Sequence, residues 1–241
     1  MSAQDERSGE LELLLSSGFL AFARHVGFLE AVEEQGYRAR ALVGTSSGAL
    51  VGSLWAAGAR GRDLRELLSA RQPLSYLTLT LWRGLFSLQP MIDFLRDELP
   101  ATFEELPFPL AVGVVDAQGQ HRLISSGPLP EAVAASCAVP YLFQAVEVSG
   151  ERLCDGGLRD RLAWEAWRAW RPHAHPHEAL VHWVARSKGR DVPPPPGARV
   201  VCSPRSHAKL WRLGPFDEQV EESKALTSAL LNAQSNAQNN T

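Results

Sequence analysis

The stretch Val43-Gly44-Thr45-Ser46-Ser47-Gly48-Ala49-Leu50 has the form G-x-S-x-G. It lies between a short apolar run, Arg40-Ala41-Leu42-Val43, and a small-residue stretch from Ala49 to Gly58. The run reads as a strand, and the stretch as a buried helix ending at Gly58. A strand that reverses sharply into a helix holds the residue at the turn in a strained conformation and lifts its side chain out of the sheet. The flanking positions must be small, because a Cβ at Gly44 or Gly48 would collide with the neighbouring helix or strand. Ser46 is therefore the candidate nucleophile. Without that context the same letters would describe only a Gly/Ser-rich turn.

Upstream, Leu11 to Leu15 reads as a first strand, buried enough to tolerate Glu12 near its start. It runs into Ser16-Ser17-Gly18-Phe19. Apolar residues at Phe19, Phe22, Val26, Leu29 and Val32 then follow at close to helical spacing, ending near Gly36. Strand, turn, helix, strand, elbow and helix make a βαβ unit with a right-handed crossover, in which ligands sit at the carboxyl ends of the strands. Both the first turn and Ser46 fall there. The Ser17, Gly18 and Phe19 amides would open a helix N-terminus, where unpaired N–H donors favour a negative oxygen. That makes an oxyanion hole the functional reading, beside a plain serine N-cap.

Downstream, Arg62 to Leu68 and Gln89 to Leu99 read as helices, and Leu110 to Val115 as a buried strand paired in a hairpin with His121 to Ser126. Leu129 to Ala138 reads as a small-residue helix stopped by Pro140. A second hairpin, Ala145–Val148 with Glu151–Cys154, leads directly to Asp155-Gly156-Gly157. Alone, that aspartate is a turn residue. Paired with an elbow serine it becomes a candidate base, beside glycines that let another backbone come close. Leu180 to Ala185 and Arg199 to Cys202 read as further strands, 191–197 as an extended proline-rich loop, and Asp217 to Leu231 as the last helix.

A chain of 241 residues, 45% hydrophobic and 21% charged, suits one large-cored domain. That domain is expected over residues 11–231, between a flexible start at 1–10 and a flexible polar tail at 232–241. The formal charge of −3 gives no footing for a nucleic-acid partner. Three cysteines without C-x-x-C spacing suggest neither a disulfide framework nor a zinc site, which favours a reducing cytoplasmic setting. The apolar run near the start is too short and wrongly flanked for a signal peptide, and no run is long enough to span a membrane. Peripheral contact with a membrane surface stays open.

Two stretches carry competing readings. Residues 72–86, rich in leucine and aromatics, are core or an apolar cap over the site. Trp164, Trp167 and Trp170 alternate with Arg168 and Arg171 on a helix, which is core packing or an aromatic face toward lipid headgroups. His173, His175 and His177 alternate between prolines without nearby acidic or cysteine ligands, so no metal site is expected there.

An elbow within the first fifty residues has only two strand candidates before it, which argues against the α/β-hydrolase order. Instead the chain resembles the patatin-like phospholipases. Four blocks in the family's order carry the likeness: Leu15-Ser16-Ser17-Gly18 with His25-Val26-Gly27, the Gly44–Ala49 elbow, Ala135 to Phe143, and Asp155-Gly156-Gly157-Leu158. The resemblance implies a three-layer α/β/α fold with a mostly parallel central sheet and no cofactor. It also implies a Ser46-Asp155 dyad without a catalytic histidine, acting as a phospholipase A-like esterase on an acyl-ester lipid through an acyl-enzyme. Ser17-Gly18-Phe19 stands over the family's glycine turn, with Ala21 and Phe22 on its Arg-Gly, and Arg161 or its neighbour stands where an asparagine is usual. Two alternatives follow: a weakly active or inactive lipid- or partner-binding member, and a serine hydrolase whose triad uses His182.

Overall fold

The computed structural model describes residues 9–80, 86–186 and 196–238. The elements run β1 (Glu10–Leu15), α1 (Phe22–Glu34), β2 (Arg38–Thr45), α2 (Ser47–Ala56), α3 (Gly61–Ser69), β3 (Thr78–Leu79), β4 (Phe86–Ser87) and α4 (Gln89–Glu98). Then come β5 (Leu110–Val115), β6 (His121–Ile124), α5 (Leu129–Ser136), β7 (Val146–Val148), β8 (Glu151–Asp155), α6 (Trp164–Trp170), β9 (Ala179–Val184), β10 (Arg199–Ser203) and α7 (Phe216–Gln238).

The main sheet has the order β10-β9-β1-β2-β5-β8-β7, with β6 also paired to β5. The β10, β9, β1, β2 and β5 pairings are all parallel, and β6, β7 and β8 join antiparallel. Parallel strands need both faces covered, and β1, β5 and β9 are accordingly buried almost throughout. The period of two sorts their side chains. Leu13, Leu15 and Leu42 face the layer of α1, α2 and α5, whereas Leu14, Val43 and Val181 face Trp167 of α6. The expected three-layer, mostly parallel α/β/α arrangement is found.

Helix α1 is the central helix of the thicker layer, buried from Phe22 to Val32, because α7 covers its outer side. The contact is close: a Cβ on Gly27 would lie 2.1 Å from the Val220 carbonyl oxygen. Two boundaries differ from the sequence expectation. Helix α1 begins at Phe22 rather than Phe19, because Gly18 to Ala21 forms a turn first, with Ala21 N–H donating to Gly18 O at 3.1 Å and Leu20 at φ 53°. Helix α7 continues to Gln238, so most of the expected flexible tail is helical. The proline-rich loop lies largely outside the described residues, as does 81–85.

Candidate active site

Register brings the two halves of the site together. β5 pairs with β2 up to Thr45 opposite Gly113, and its next residue, Val114, pairs with Asp155 of β8. Ser46 and Asp155 therefore leave the sheet side by side, at the carboxyl end of β5. Close backbone approach makes this feasible, since a Cβ on Gly156 would lie 2.5 Å from the Gly113 carbonyl. The Ser46 hydroxyl and the Asp155 carboxylate line the same opening, close enough for the hydroxyl to favour the charged carboxylate.

The elbow takes the shape its glycines predict. Ser46 has φ 55° and ψ −119°, a region that costs a non-glycine residue about 1–3 kcal/mol. A Cβ on Gly44 would lie 2.6 Å from the Ala49 nitrogen, and one on Gly48 would lie 2.4 Å from the Leu15 carbonyl oxygen. Ser136, at the end of α5, locks the strained residue: its hydroxyl accepts from Ser46 N–H at 2.9 Å and donates to Gly113 O at 2.7 Å. The Cys137 thiol donates to Ser46 O at 3.3 Å.

Asp155 is 5% exposed. Burial pushes its carboxyl pKa up to about 6, against the opposing influence of the nearby Ser46 hydroxyl and of the hydrogen bond from Gly157 N–H at 2.7 Å. Among the described residues no ion pair neutralises it. A carboxylate short of solvation beside a hydroxyl is a competent proton acceptor near neutral pH.

The Ser17-Gly18-Phe19 turn lines the same opening as Ser46 and Asp155. Its three amides are not equivalent. Ser17 N–H donates to Arg161 O at 2.7 Å, so it is withdrawn from the expected donor set. The Gly18 and Phe19 amides have no partner among the described residues. Arg161 is a buried residue of the site that the sequence identified only as a departure from a pattern. Its guanidinium donates to Ser17 O at 2.7 Å, to Ser17 Oγ at 3.3 Å and to Val184 O at 2.5 Å.

Two clefts meet at Ser46. One is apolar and lined by Phe22, Pro73, Tyr76, Leu88, Met91 and Phe143 among others. The other, of about 680 Å³, is the mouth formed by Ser17 to Phe19, Val139, Pro140, Asp155, Gly157 and Leu158. Of the 72–86 stretch, whose residues 81–85 lie outside the described residues, Pro73, Tyr76 and Leu77 line the apolar cleft: Tyr76 is buried against Phe94, while Leu74 and Leu79 are exposed.

The remaining candidates lie elsewhere. His182 has both ring nitrogens engaged, Nδ1 with His25 Nδ1 at 2.8 Å and Nε2 with Ser203 Oγ at 2.8 Å, and its ring stacks on Phe28. No nitrogen is left to serve Ser46, so the triad reading is corrected. Trp167 is fully buried with its indole N–H on Glu12, Arg171 is ion-paired with Glu12, and Trp164 and Trp170 are partly buried. That helix is packing rather than an aromatic face. His173, His175 and His177 are exposed on the loop before β9, the last two stacked on each other.

The sequence pattern of patatin-like phospholipases matches residues 13–166, more than half of the chain and the part that holds Ser46, Asp155, Arg161 and the Ser17-Gly18-Phe19 turn. The chain belongs to the patatin-like phospholipase family. It is 32% identical over 165 residues to uncharacterized NTE family proteins of Mycobacterium bovis and Mycobacterium tuberculosis, a match covering 64% of this chain and 44% of theirs. The matched region thus spans less than half the length of those relatives. Among solved structures, the chain is similar to VipD from Legionella pneumophila, with TM-score 0.57, 13% identity, and 94% of this chain and 67% of that one covered. It is also similar to the type III effector protein ExoU, with TM-score 0.52, 14% identity and coverage of 93% and 53%. At these identities the likeness is one of fold.

Proposed function

We propose that this patatin-like chain is a serine acyl hydrolase of lipid or lipid-like esters, with Ser46 as nucleophile and Asp155 as general base. The observation that carries the reading is the juxtaposition of Ser46, on its strained elbow, with the buried Asp155 carboxyl in one opening, where burial raises that carboxyl's pKa to about 6. Asp155 takes the Ser46 proton as Oγ forms a bond to the ester carbonyl carbon. The negative oxygen that develops is met by the Gly18 and Phe19 amides, the donors left without partners in the turn. Collapse breaks the bond to the leaving alcohol, which receives the proton from Asp155. Water, deprotonated by the same carboxylate, then releases the acid from the acyl-enzyme.

The clefts support a division of the substrate. An acyl chain gains by burial in the apolar cleft, at roughly 25 cal/mol per Å² removed from water, while the alcohol portion faces the mouth. No helix among the described residues is long and apolar enough to cross a membrane, so lipid would be met from the surface.

Fluorophosphonate labelling and p-nitrophenyl ester hydrolysis test this with the native chain, Ser46→Ala and Asp155→Asn. Labelling of the native chain, none in Ser46→Ala, and loss of turnover in both variants are expected. An unlabelled Ser46 in a folded native chain overturns the hydrolase reading in favour of a lipid-binding member of the family.

A further inference from the structure

The structure assigns the loop at 204–212 as a docking element for an anionic membrane surface, deepening the lipid-hydrolase reading on which its purpose rests. Seven large hydrophobic side chains are exposed among the described residues; two of them line the clefts and three more are chain neighbours of lining residues. Phe19 and Leu158 line the mouth and Tyr141 follows Pro140 on its rim. Leu74 follows Pro73 and Trp211 follows Leu210 on the edge of the apolar cleft. Leu79 pairs with Phe86, which bridges to Phe143 of the same cleft. A scatter of exposed apolar residues is ordinary; their concentration around one opening marks an interaction surface.

Charge selects the partner. Pro204-Arg205-Ser206-His207-Ala208-Lys209-Leu210-Trp211-Arg212 holds three permanent cations, and no acidic residue occurs between 196 and 216. Arg40, Arg65, Arg96 and Arg171 are ion-paired elsewhere, whereas Arg205, Lys209 and Arg212 have no carboxylate partner among the described residues. On a chain of net charge −3 this is a local excess of unneutralised positive charge. Lys209 and Arg212 exchange backbone hydrogen bonds of 2.7 and 3.0 Å, a tight turn that carries Leu210 and Trp211 at its tip. Trp211 is 69% exposed, with the Lys209 ammonium 5.8 Å from its ring centroid.

A tryptophan flanked by basic groups suits the headgroup layer, where the indole body enters the apolar boundary and the cations meet anionic lipid. The loop is also tied to the site, because Ser206 Oγ donates to Leu20 O at 2.8 Å, within the turn that carries Gly18 and Phe19. Docking there faces the cleft mouth toward the bilayer.

The test is flotation of the full chain with vesicles of phosphatidylcholine, pure or mixed equally with phosphatidylglycerol, at low and high salt. Expected are binding to the anionic vesicles, weakening with salt, and retained binding by Ser46→Ala. The Lys209→Ala/Arg212→Ala pair should bind about 30-fold more weakly, and Trp211→Ala about 10-fold. Both loop variants should hydrolyse soluble p-nitrophenyl butyrate at the native rate, which separates lost docking from lost folding. A native chain that floats yet hydrolyses no ester supports docking while defeating the hydrolase reading. Equal binding to neutral vesicles, native affinity in the loop variants, or a dimer in solution that Trp211→Ala dissolves each overturns the assignment.

Discussion

Arg161 holds the Ser17 peptide from both sides: its carbonyl accepts the Ser17 N–H at 2.7 Å and its guanidinium donates to the Ser17 carbonyl at 2.7 Å. This arginine stands about where the family carries an asparagine, and it grips the turn that lacks the family's run of glycines. The two departures are thus one arrangement. A turn with less backbone freedom is held in place by a charged side chain that also ties it to Val184 at the end of β9.

Arg161→Ala should therefore loosen the Gly18 and Phe19 donors without touching the Ser46-Asp155 pair. A fall in kcat of about 100-fold is expected, since small displacements of positioning groups carry costs of that size. KM for a short soluble ester should stay near the native value. The buried Ser17 and Val184 carbonyls lose partners at about 1–3 kcal/mol each, so Tm falls as well. Arg161→Lys, which can reach one carbonyl, should restore part of both. A native kcat in folded Arg161→Ala would show that the arginine only packs.

The Asp155 carboxyl, shifted from 3.8 to about 6 by burial, makes opposite demands on activity and stability. In its proposed role of base it works ionised, so kcat/KM should rise with pH through about 6 and then level. Between 3.8 and about 6 the unfolded chain has already released a proton that the folded chain keeps, so stability falls as pH rises through that window. At neutral pH the cost is about 3 kcal/mol, taking 1.36 kcal/mol per pH unit. Asp155→Asn keeps an acceptor for Gly157 N–H and removes the charge. It should be inactive yet more stable than the native chain by about 1–3 kcal/mol near pH 7. Urea melts at pH 3.5 and 7 check this, the gain vanishing at the lower value.

Ser46 stores a second cost, in its backbone. At φ 55° and ψ −119° glycine is nearly unstrained, so Ser46→Gly should abolish labelling and turnover while raising stability by about 1 kcal/mol. Ser46→Ala, which keeps the Cβ, should show the same loss of activity without that gain. Equal melting curves for the two variants would mean that the elbow is not strained in the way its dihedrals indicate.

The elbow was legible because its cause is local: a strand, two glycines and a helix within a dozen residues dictate one another sterically. Asp155 was legible only jointly with Ser46, since an Asp-Gly-Gly after a strand is otherwise a turn. The first turn misled because Leu20 takes a positive φ that side-chain-bearing residues rarely adopt. Periodicity therefore placed the helix start at Phe19 when it lies at Phe22. The role of Arg161 could not have been read from the sequence. Its partners are Ser17 and Val184, distant in sequence, and no local pattern distinguishes it from the exposed Arg159. Residues 73–79 resisted for another reason, because a cleft wall is apolar on one side like core and exposed on the other like a cap.

His25 and His182 set the acid limit of the fold rather than its chemistry. Both are fully buried; burial lowers the His25 pKa from 6.5 to about 3 and holds His182 well below its usual range, with each other's ring and Arg24 adding to the effect on His182. They sit between α1 and the Ser203 and Ser223 hydroxyls, with Arg24 alongside paired to Glu222 of α7. Below pH 6.5 the unfolded chain takes up protons that the folded chain refuses, so stability falls as pH drops from 6.5 toward 3, the reverse of the Asp155 effect. His25 alone should remove about 2 kcal/mol by pH 5. His182→Ala should reduce Tm, because Ser203 and the His25 ring lose a buried partner, and should flatten the acid limb. Its turnover per folded molecule at pH 8 should equal that of the native chain. A loss of turnover with unchanged folding would instead return His182 to the catalytic chemistry.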